Sequence, residues 1–246
     1  MPNDTGIGGP RDAFPATRWS AVLATRSNDE AERTRSLEVL ISAYWKPVYK
    51  YIRLKWDRSN EDAKDLTQGF FLKAMEKDYF RPYDPAKAKF RTFLRTCVDG
   101  YVANQDKAAH AQKRGGDAAI LPLDFEGAES EISAGENGPI DEVFDREWVS
   151  SLFGISLEIL RQECEAKNKS VNFRLFEKYD LEDAGAGRVT YDDLAREFRL
   201  PVTTITNHLA WVRREFRKVV LDKLREITAT DEEFRSEARA VLGIEA

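Results

Sequence analysis

Thr203, Thr204, Thr206, Asn207 and His208 open a helical pattern with hydroxyl, amide and imidazole groups. Such groups donate and accept at base edges, and an Asn side chain can pair bidentately with adenine. Arg213, Arg214, Arg217 and Lys218 follow on the same pattern, where they would reach phosphates. Two further groups invite chemistry. Asn104, Lys107, His110, Lys113 and Arg114 gather cations and an amide towards the end of another helical pattern. They form a second candidate nucleic-acid surface, although cations there also complement a helix dipole. Asp62, Asp65, Leu66, Gln68 and Phe71 lie in the acidic and aromatic run DAKDLTQGFFLKAM. That mixture suits a protein partner. Phe70 and Phe71 stand in tandem, which makes one of the two rings a candidate interface anchor outside the core. The competing reading has the acids capping the helix and both rings buried.

The elements that must hold these residues read as helices throughout. Before the base-reading group, Thr190 with Asp193 resembles a capping box with Asp in place of Glu. Leu194, Ala195 and Phe198 face inward, Pro201 opens the next helix, and Ile205, Leu209, Val212, Phe216 and Val219 form its buried stripe. This is a helix-turn-helix pattern, whose second helix enters the major groove. An ordinary helical hairpin with a solvated basic face has the same pattern. Arg199 stands where the tight turn often uses Gly, and a left-handed backbone there costs about 1 kcal/mol.

Upstream, Thr17 can cap a short helix that buries Trp19, Val22 and Leu23. Leu37, Leu40, Ile41, Tyr44, Trp45, Val48, Tyr49, Ile52 and Trp56 mark one face of a long helix, which Pro47 should kink or split. Ser59 or Asn60 caps the acidic helix. After the Pro-broken loop YFRPYDPAKA, a helix presents Phe90, Phe93, Leu94, Cys97, Val98, Tyr101 and Val102 and stops at Gly115-Gly116. Residues 117–140 hold Asp124, Glu126, Glu129, Glu131 and Glu136 without a sustained period, and read as an acidic linker. A helical pattern resumes at Phe144, Trp148, Leu152, Ile155 and Ile159, followed by a short helix near Phe173–Tyr179. Trp45, Phe90 and Trp148 are assigned to cores.

Composition narrows the function classes. The net charge of −5 argues against strong autonomous binding to DNA, because phosphate neutralisation needs clustered cations. Cys97 and Cys164 are isolated and read as buried core thiols, so neither a disulfide framework nor a cysteine zinc site is expected. There is no HExxH, GxSxG or Gly-rich phosphate loop, and His110 and His208 have no metal-ligand partner at helical spacing. Neither an enzyme nor a cofactor or metal is expected. With no apolar run of membrane-spanning length and no secretory signal, a cytoplasmic protein is the default.

Together these segments resemble a bacterial RNA polymerase sigma factor of the sigma-70 family, extracytoplasmic-function type. The carrying residues are YWKPVYKYIR, EDAKDLTQGFFLKAM, FRTFLRT, AQKRGG and VTYDDLAREFRLPVTTITNHLAWVRREFRKVV, and the resemblance covers about residues 14–225. It implies an all-α chain of two small helical domains joined by the acidic linker. Residues 1–13 would be a disordered tail, 14–116 a sigma region 2-like domain, 117–140 the linker, 141–230 a region 4-like helix-turn-helix domain, and 231–246 a C-terminal extension. The resemblance places Asp62, Asp65, Leu66, Gln68 and Phe71 on a coiled coil of the largest polymerase subunit. Residues Asn104 to Arg114 would face the promoter −10 element, and Thr203 to His208 the −35 element. The partners implied are core RNA polymerase, promoter DNA and a possible anti-sigma regulator, with no membrane and no small-molecule substrate. Lys64 stands where such factors usually carry an acid, and Gln105, Asp106, Lys107 and Ala108 stand where aromatic and Arg residues are common. These departures leave a second expectation: a degenerate sigma-like interaction protein that binds polymerase or a regulator and reads no promoter.

Overall fold

The computed structural model describes residues 20–76, 78–111, 121–132, 139–182 and 189–243, and among them the only regular structure is helical. The expected disordered tail, the Thr17 cap, Trp19 and the Gly115-Gly116 stop lie outside the described residues. The first described helix, α1 (Ala21–Ala24), is capped by the Ser20 hydroxyl. It buries Val22 but leaves Leu23 at 44% exposure, so the expected burial of Leu23 is corrected.

α2 (Glu30–Lys55) begins where the Asp29 carboxylate accepts the Ala31 N–H at 2.9 Å, and its charges suit the dipole: Glu30 and Glu32 at the start, Arg53 and Lys55 at the end. The expected break at Pro47 does not occur, and α2 continues through it as one helix. An interior proline costs about 3 kcal/mol. Its neighbours Tyr44, Val48, Tyr49, Tyr51 and Ile52 are all buried. Each large apolar side chain contributes about 1.5–3 kcal/mol on burial, so packing outweighs the lost bond. α3 (Asn60–Glu76), α4 (Phe90–Ala111) and α6 (Ile140–Ala166) gather around α2. Tyr44 stacks on Trp148 of α6 with centroids 6.4 Å apart, and Phe90 of α4 meets Tyr44 edge-on at 5.6 Å. Trp148 and Phe90 are core residues, as expected; Trp45 is half-buried against the same core.

The segment read as a structureless acidic linker carries a helix, α5 (Phe125–Ser130), with Asp124 as its cap. Phe125 and Ala128 are buried, and the Phe125 ring meets Trp45 and Tyr49 edge-on at 5.5 and 5.2 Å. Its acids answer the cations of α2. Glu129 pairs with Arg53 at 2.7 Å and accepts the Tyr49 hydroxyl. Glu131 meets Lys46 at 2.6 Å and Lys50 at 3.2 Å. Lys50 is 1% exposed and also reaches Glu147 of α6 at 2.7 Å. The acidity of the segment is therefore partly that of a docked strap, and nothing within the segment itself could reveal its partners.

In the second half, α7 (Ser170–Phe176) runs into a π-helical turn, Glu177–Leu181, and then come α8 (Tyr191–Phe198), α9 (Val202–Glu226) and α10 (Asp231–Leu242). Two hydrophobic clusters result. One joins α1–α5 to Phe144, Trp148 and Leu152 of α6, Val220 and Leu224 of α9, and Phe234 and Ala238 of α10. The other holds Leu160 and Cys164 of α6 with Phe173, Leu175, Leu194, Ile205, Leu209 and Val212. The clusters do not follow the expected boundaries: α6 and α9, 27 and 25 residues long, run through both. At 1.5 Å per residue they are rods of roughly 40 Å. Cys164 is fully buried; Cys97 is only half-buried, although burial still pushes its thiol up to about 12.

Candidate nucleic-acid and partner-docking surfaces

α8 and α9 make the helix-turn-helix. The Thr190 hydroxyl accepts the Asp193 N–H at 3.2 Å while the Asp193 carboxylate accepts the Thr190 N–H at 3.0 Å, so the capping box forms with Asp as its second member. The Thr190 hydroxyl, which donates to the Asp193 carboxylate at 2.6 Å, and then the Thr190 N–H hold that carboxyl below its ordinary value. Arg199 ends α8 in the left-handed region at φ 52°, where its side chain carries the strain expected at that turn. Leu200 closes the turn by donating to the Ala195 carbonyl at 3.1 Å, and Pro201 sets the chain into α9.

On α9 the buried stripe is Ile205, Leu209, Val212, Val219, Val220 and Leu224, with Phe216 half-buried. The opposite face is open: Thr203, Asn207, Ala210, Arg214, Arg217 and Lys218 are all exposed at three- and four-residue steps. Thr204, Thr206 and His208 flank this row and are half-buried, with the Thr206 hydroxyl donating back to the Thr203 carbonyl at 2.9 Å. Arg213 is different. Its guanidinium forks onto the Asp180 carboxylate of the π-helical turn at 2.8 and 2.9 Å and lies 5.4 Å from the Tyr179 ring centre. Tyr179 stacks on Tyr191 at 4.9 Å, and hydrogen bonds from Tyr179 and then Arg213 hold the Tyr191 phenol below its ordinary value. Arg213, expected among the phosphate-reaching cations, is exposed but already paired with Asp180. Asp180 gave no local signal, because its partner is 33 residues away.

α3 starts at Ser59, whose hydroxyl accepts the Asp62 N–H at 3.1 Å and donates to the Asp62 carboxylate at 2.7 Å. Glu61, Asp62 and Asp65 are exposed, and Leu66 and Gln68 are half-buried beside them. Lys64 bonds Glu61 at 3.0 Å along the same helix. Phe70 and Phe71 are both buried, at 0% and 1%, with their rings edge-on at 5.1 Å. The expected exposed anchor is corrected: Phe71 is offered to no partner here. Gly69 of α3 lies against Tyr101, whose hydroxyl occupies the space a Cβ would need.

On α4, Asn104 and Lys107 are exposed, while Asp106 is held by Arg58 through bonds of 2.5 and 2.6 Å. His110 falls in the last turn of α4 with its side chain outside the described residues, and Lys113 and Arg114 lie outside them altogether. Asn104 lines an open groove of about 410 Å³ together with Tyr79, Phe93, Cys97 and Gly100. Tyr79 from the 78–88 loop and Phe93 from the start of α4 thus lie along the same groove as Asn104. Their types were visible, but not their meeting.

Among the described residues no group of three or more His, Cys, Asp or Glu side chains is arranged to hold a metal, and no helix is long and apolar enough to cross a membrane. No family model, curated protein or solved structure matches the chain.

Proposed function

We propose that the chain is a sigma-type initiation factor that binds core RNA polymerase and directs it to promoters, with no catalysis of its own. The observation that carries this reading is the face of α9. In a helix-turn-helix with a formed capping box, Thr203 and Asn207 lead and Arg214, Arg217 and Lys218 follow on one open row. Base-reading groups at the start of a second helix and phosphate-reaching cations further along are what major-groove docking requires. In this reading residues 141–230 act as the region 4-like half, and Thr203, Thr204, Thr206, Asn207 and His208 face the −35 element. Residues 14–116 act as the region 2-like half. Asp62 and Asp65 dock on the largest-subunit coiled coil with Leu66 and Gln68 beside them. Asn104 and Lys107, with the cations that follow, address the −10 element. The groove lined by Tyr79 and Phe93 supports that last assignment, since unpaired bases stack on aromatic faces.

A second reading has a specific observation in its favour. Both halves are tied into one core, and Arg213 is engaged by Asp180. A sigma-like protein that binds polymerase or a regulator without reading DNA would be served by such a closed form. In vitro transcription with purified core polymerase on a promoter library separates the two. Initiation that depends on this chain at a discrete promoter set supports the sigma reading. Binding to core without initiation supports the second, and absence of binding refutes the sigma reading and the polymerase-binding form of the second.

A further inference from the structure

The geometry points to α10 as a latch that clasps α6–α10 onto α1–α5 and must let go before the α9 reading face can swing to its working distance. α10 leaves α9 through a tight corner where Arg225 pairs with Asp231 and lies 3.6 Å over the Phe234 ring. It then returns to a part of the chain some 140 residues earlier. The Glu233 carboxylate accepts the main-chain N–H of Phe90 at 2.6 Å, a bond that spans 143 residues. This acid sits at the start of α4, where free N–H groups and the helix dipole favour an anion. The same carboxylate accepts the Ala229 N–H at 2.8 Å and the Tyr83 hydroxyl at 3.3 Å. One turn on, Glu237 is 2% exposed and meets Lys89 and Arg91, each at 3.2 Å. Phe234 and Ala238 fill the space between these acids and the first core.

Two features make this a clasp. It is polar and replaceable: Glu233 and Glu237 are charges in a buried seam, the second oxygen of Glu237 has no partner, and burial pushes its carboxyl up. It is also placed where release has leverage. α9 is one unbroken helix, so while Val220 and Leu224 stay in the first core the face at Thr203 is fixed within roughly 30 Å of it. The purpose of the latch rests on the promoter reading proposed above. Elements centred near −35 and −10 lie about 25 base pairs apart, or about 85 Å at 3.4 Å per pair. The clasped form cannot cover both, so α6 and α9 must leave α1–α5 together.

The test is hydrogen–deuterium exchange on the full chain carrying Glu233→Gln and Glu237→Gln. Taking the charge out of the five contacts these carboxylates make should speed exchange about 100-fold at the α4 start and at Phe144–Leu152 of α6, which faces α2. Amides around Cys164 and Ile205–Val212 in the second cluster should keep their protection. Glu237→Lys alone should open the same segments, and adding Lys89→Glu should close them in part, with Arg91 still facing the new cation, which a merely misfolded variant would not do. Faster exchange confined to α10 itself, equal loss of protection in both clusters, or no recovery in the swapped pair would each overturn the latch. Neither DNA nor polymerase enters this readout. A failed promoter assay therefore leaves the latch standing, and unmoved α6 amides overturn the latch without touching the promoter reading.

Discussion

Replacing Arg214, Arg217 and Lys218 together with Ala should flatten the salt dependence of DNA binding without disturbing the fold. These three cations sit on the open row of α9; the Arg214 side chain is 70% exposed, and its nearest acid, Glu215, is 4.0 Å away. Each cation that neutralises a phosphate contributes about 0.9 to the slope of log K against log salt. Losing three therefore lowers the slope by about 2.7. Between about 50 and 200 mM salt, a slope difference of that size means the parent loses roughly 40-fold more affinity than the variant. Arg213→Ala should do much less, because Arg213 would have to leave the Asp180 fork before reaching DNA. The assay is anisotropy of a labelled duplex titrated with the full chain at several salt concentrations, alongside denaturant unfolding. Exposed substitutions of this kind leave stability within about 0.5 kcal/mol. An unchanged slope in the triple variant would refute the reading face, and a drop of about 0.9 in Arg213→Ala would refute its sequestration.

Other expectations follow from the first half. Asp65→Arg should weaken binding to core polymerase in a pull-down while unfolding stays within about 0.5 kcal/mol, since Asp65 is exposed; undiminished binding removes it from the docking face. Phe71→Ala should instead cost about 3–5 kcal/mol in denaturant, because the ring is buried; a loss under about 1 kcal/mol would restore it as a surface anchor. Gly69→Ala should cost about 1–3 kcal/mol by driving a methyl into the Tyr101 hydroxyl, and Tyr101→Phe in the same chain should recover most of it. The Arg53 hydrogen bond holds the Glu129 carboxyl below its ordinary value. Docking of α5 is therefore fully supported above the unfolded value of about 4.3 and is lost as pH falls through the folded one. Exchange at Phe125–Ser130 should rise on acidification below that value, and Glu129→Gln should reduce that pH dependence to the part carried by Glu131 against Lys46 and Lys50.

The elements most legible in the sequence were those whose determinants are local. The 3.6-residue period of α2, α4 and α9, the Ser59 and Thr190 caps and the Arg199 turn all rest on residues within a few positions of one another, and all are where periodicity and capping chemistry put them. What could not be read depends on distant partners. Pro47 reads as a breaker because its cost is local, while the packing that offsets it comes from α3 and α6. Glu129 and Glu131 look like solvated linker acids because Arg53, Lys46 and Lys50 are some 80 residues away. Phe71 reads as surplus to a small core, and the core proved larger because later helices join it. In the candidate site, the row Thr203, Asn207, Arg214, Arg217 was visible as a row; the removal of Arg213 from it was not.

That asymmetry bears on how the two halves work together. A chain whose units met only through a flexible tether would let each surface search for its target alone. Here Trp148 and Leu152 of α6 share a cluster with Tyr44 of α2, while Leu160 and Cys164 on the same helix belong to the other cluster. Motion of the reading helix relative to α2 therefore withdraws Trp148 from Tyr44, and any bend that α6 takes up falls between Leu152 and Leu160. The 153–159 stretch carries Gly154, around which a Cβ would meet nothing within 4 Å, so its backbone has no packing reason to be glycine. Glycine in a helix interior costs about 1 kcal/mol relative to Ala and loosens it locally. Gly154→Ala should therefore stiffen α6 and slow exchange at 153–159; if those amides keep their parental rates, α6 moves as a rod and the Tyr44–Trp148 contact is where the halves part.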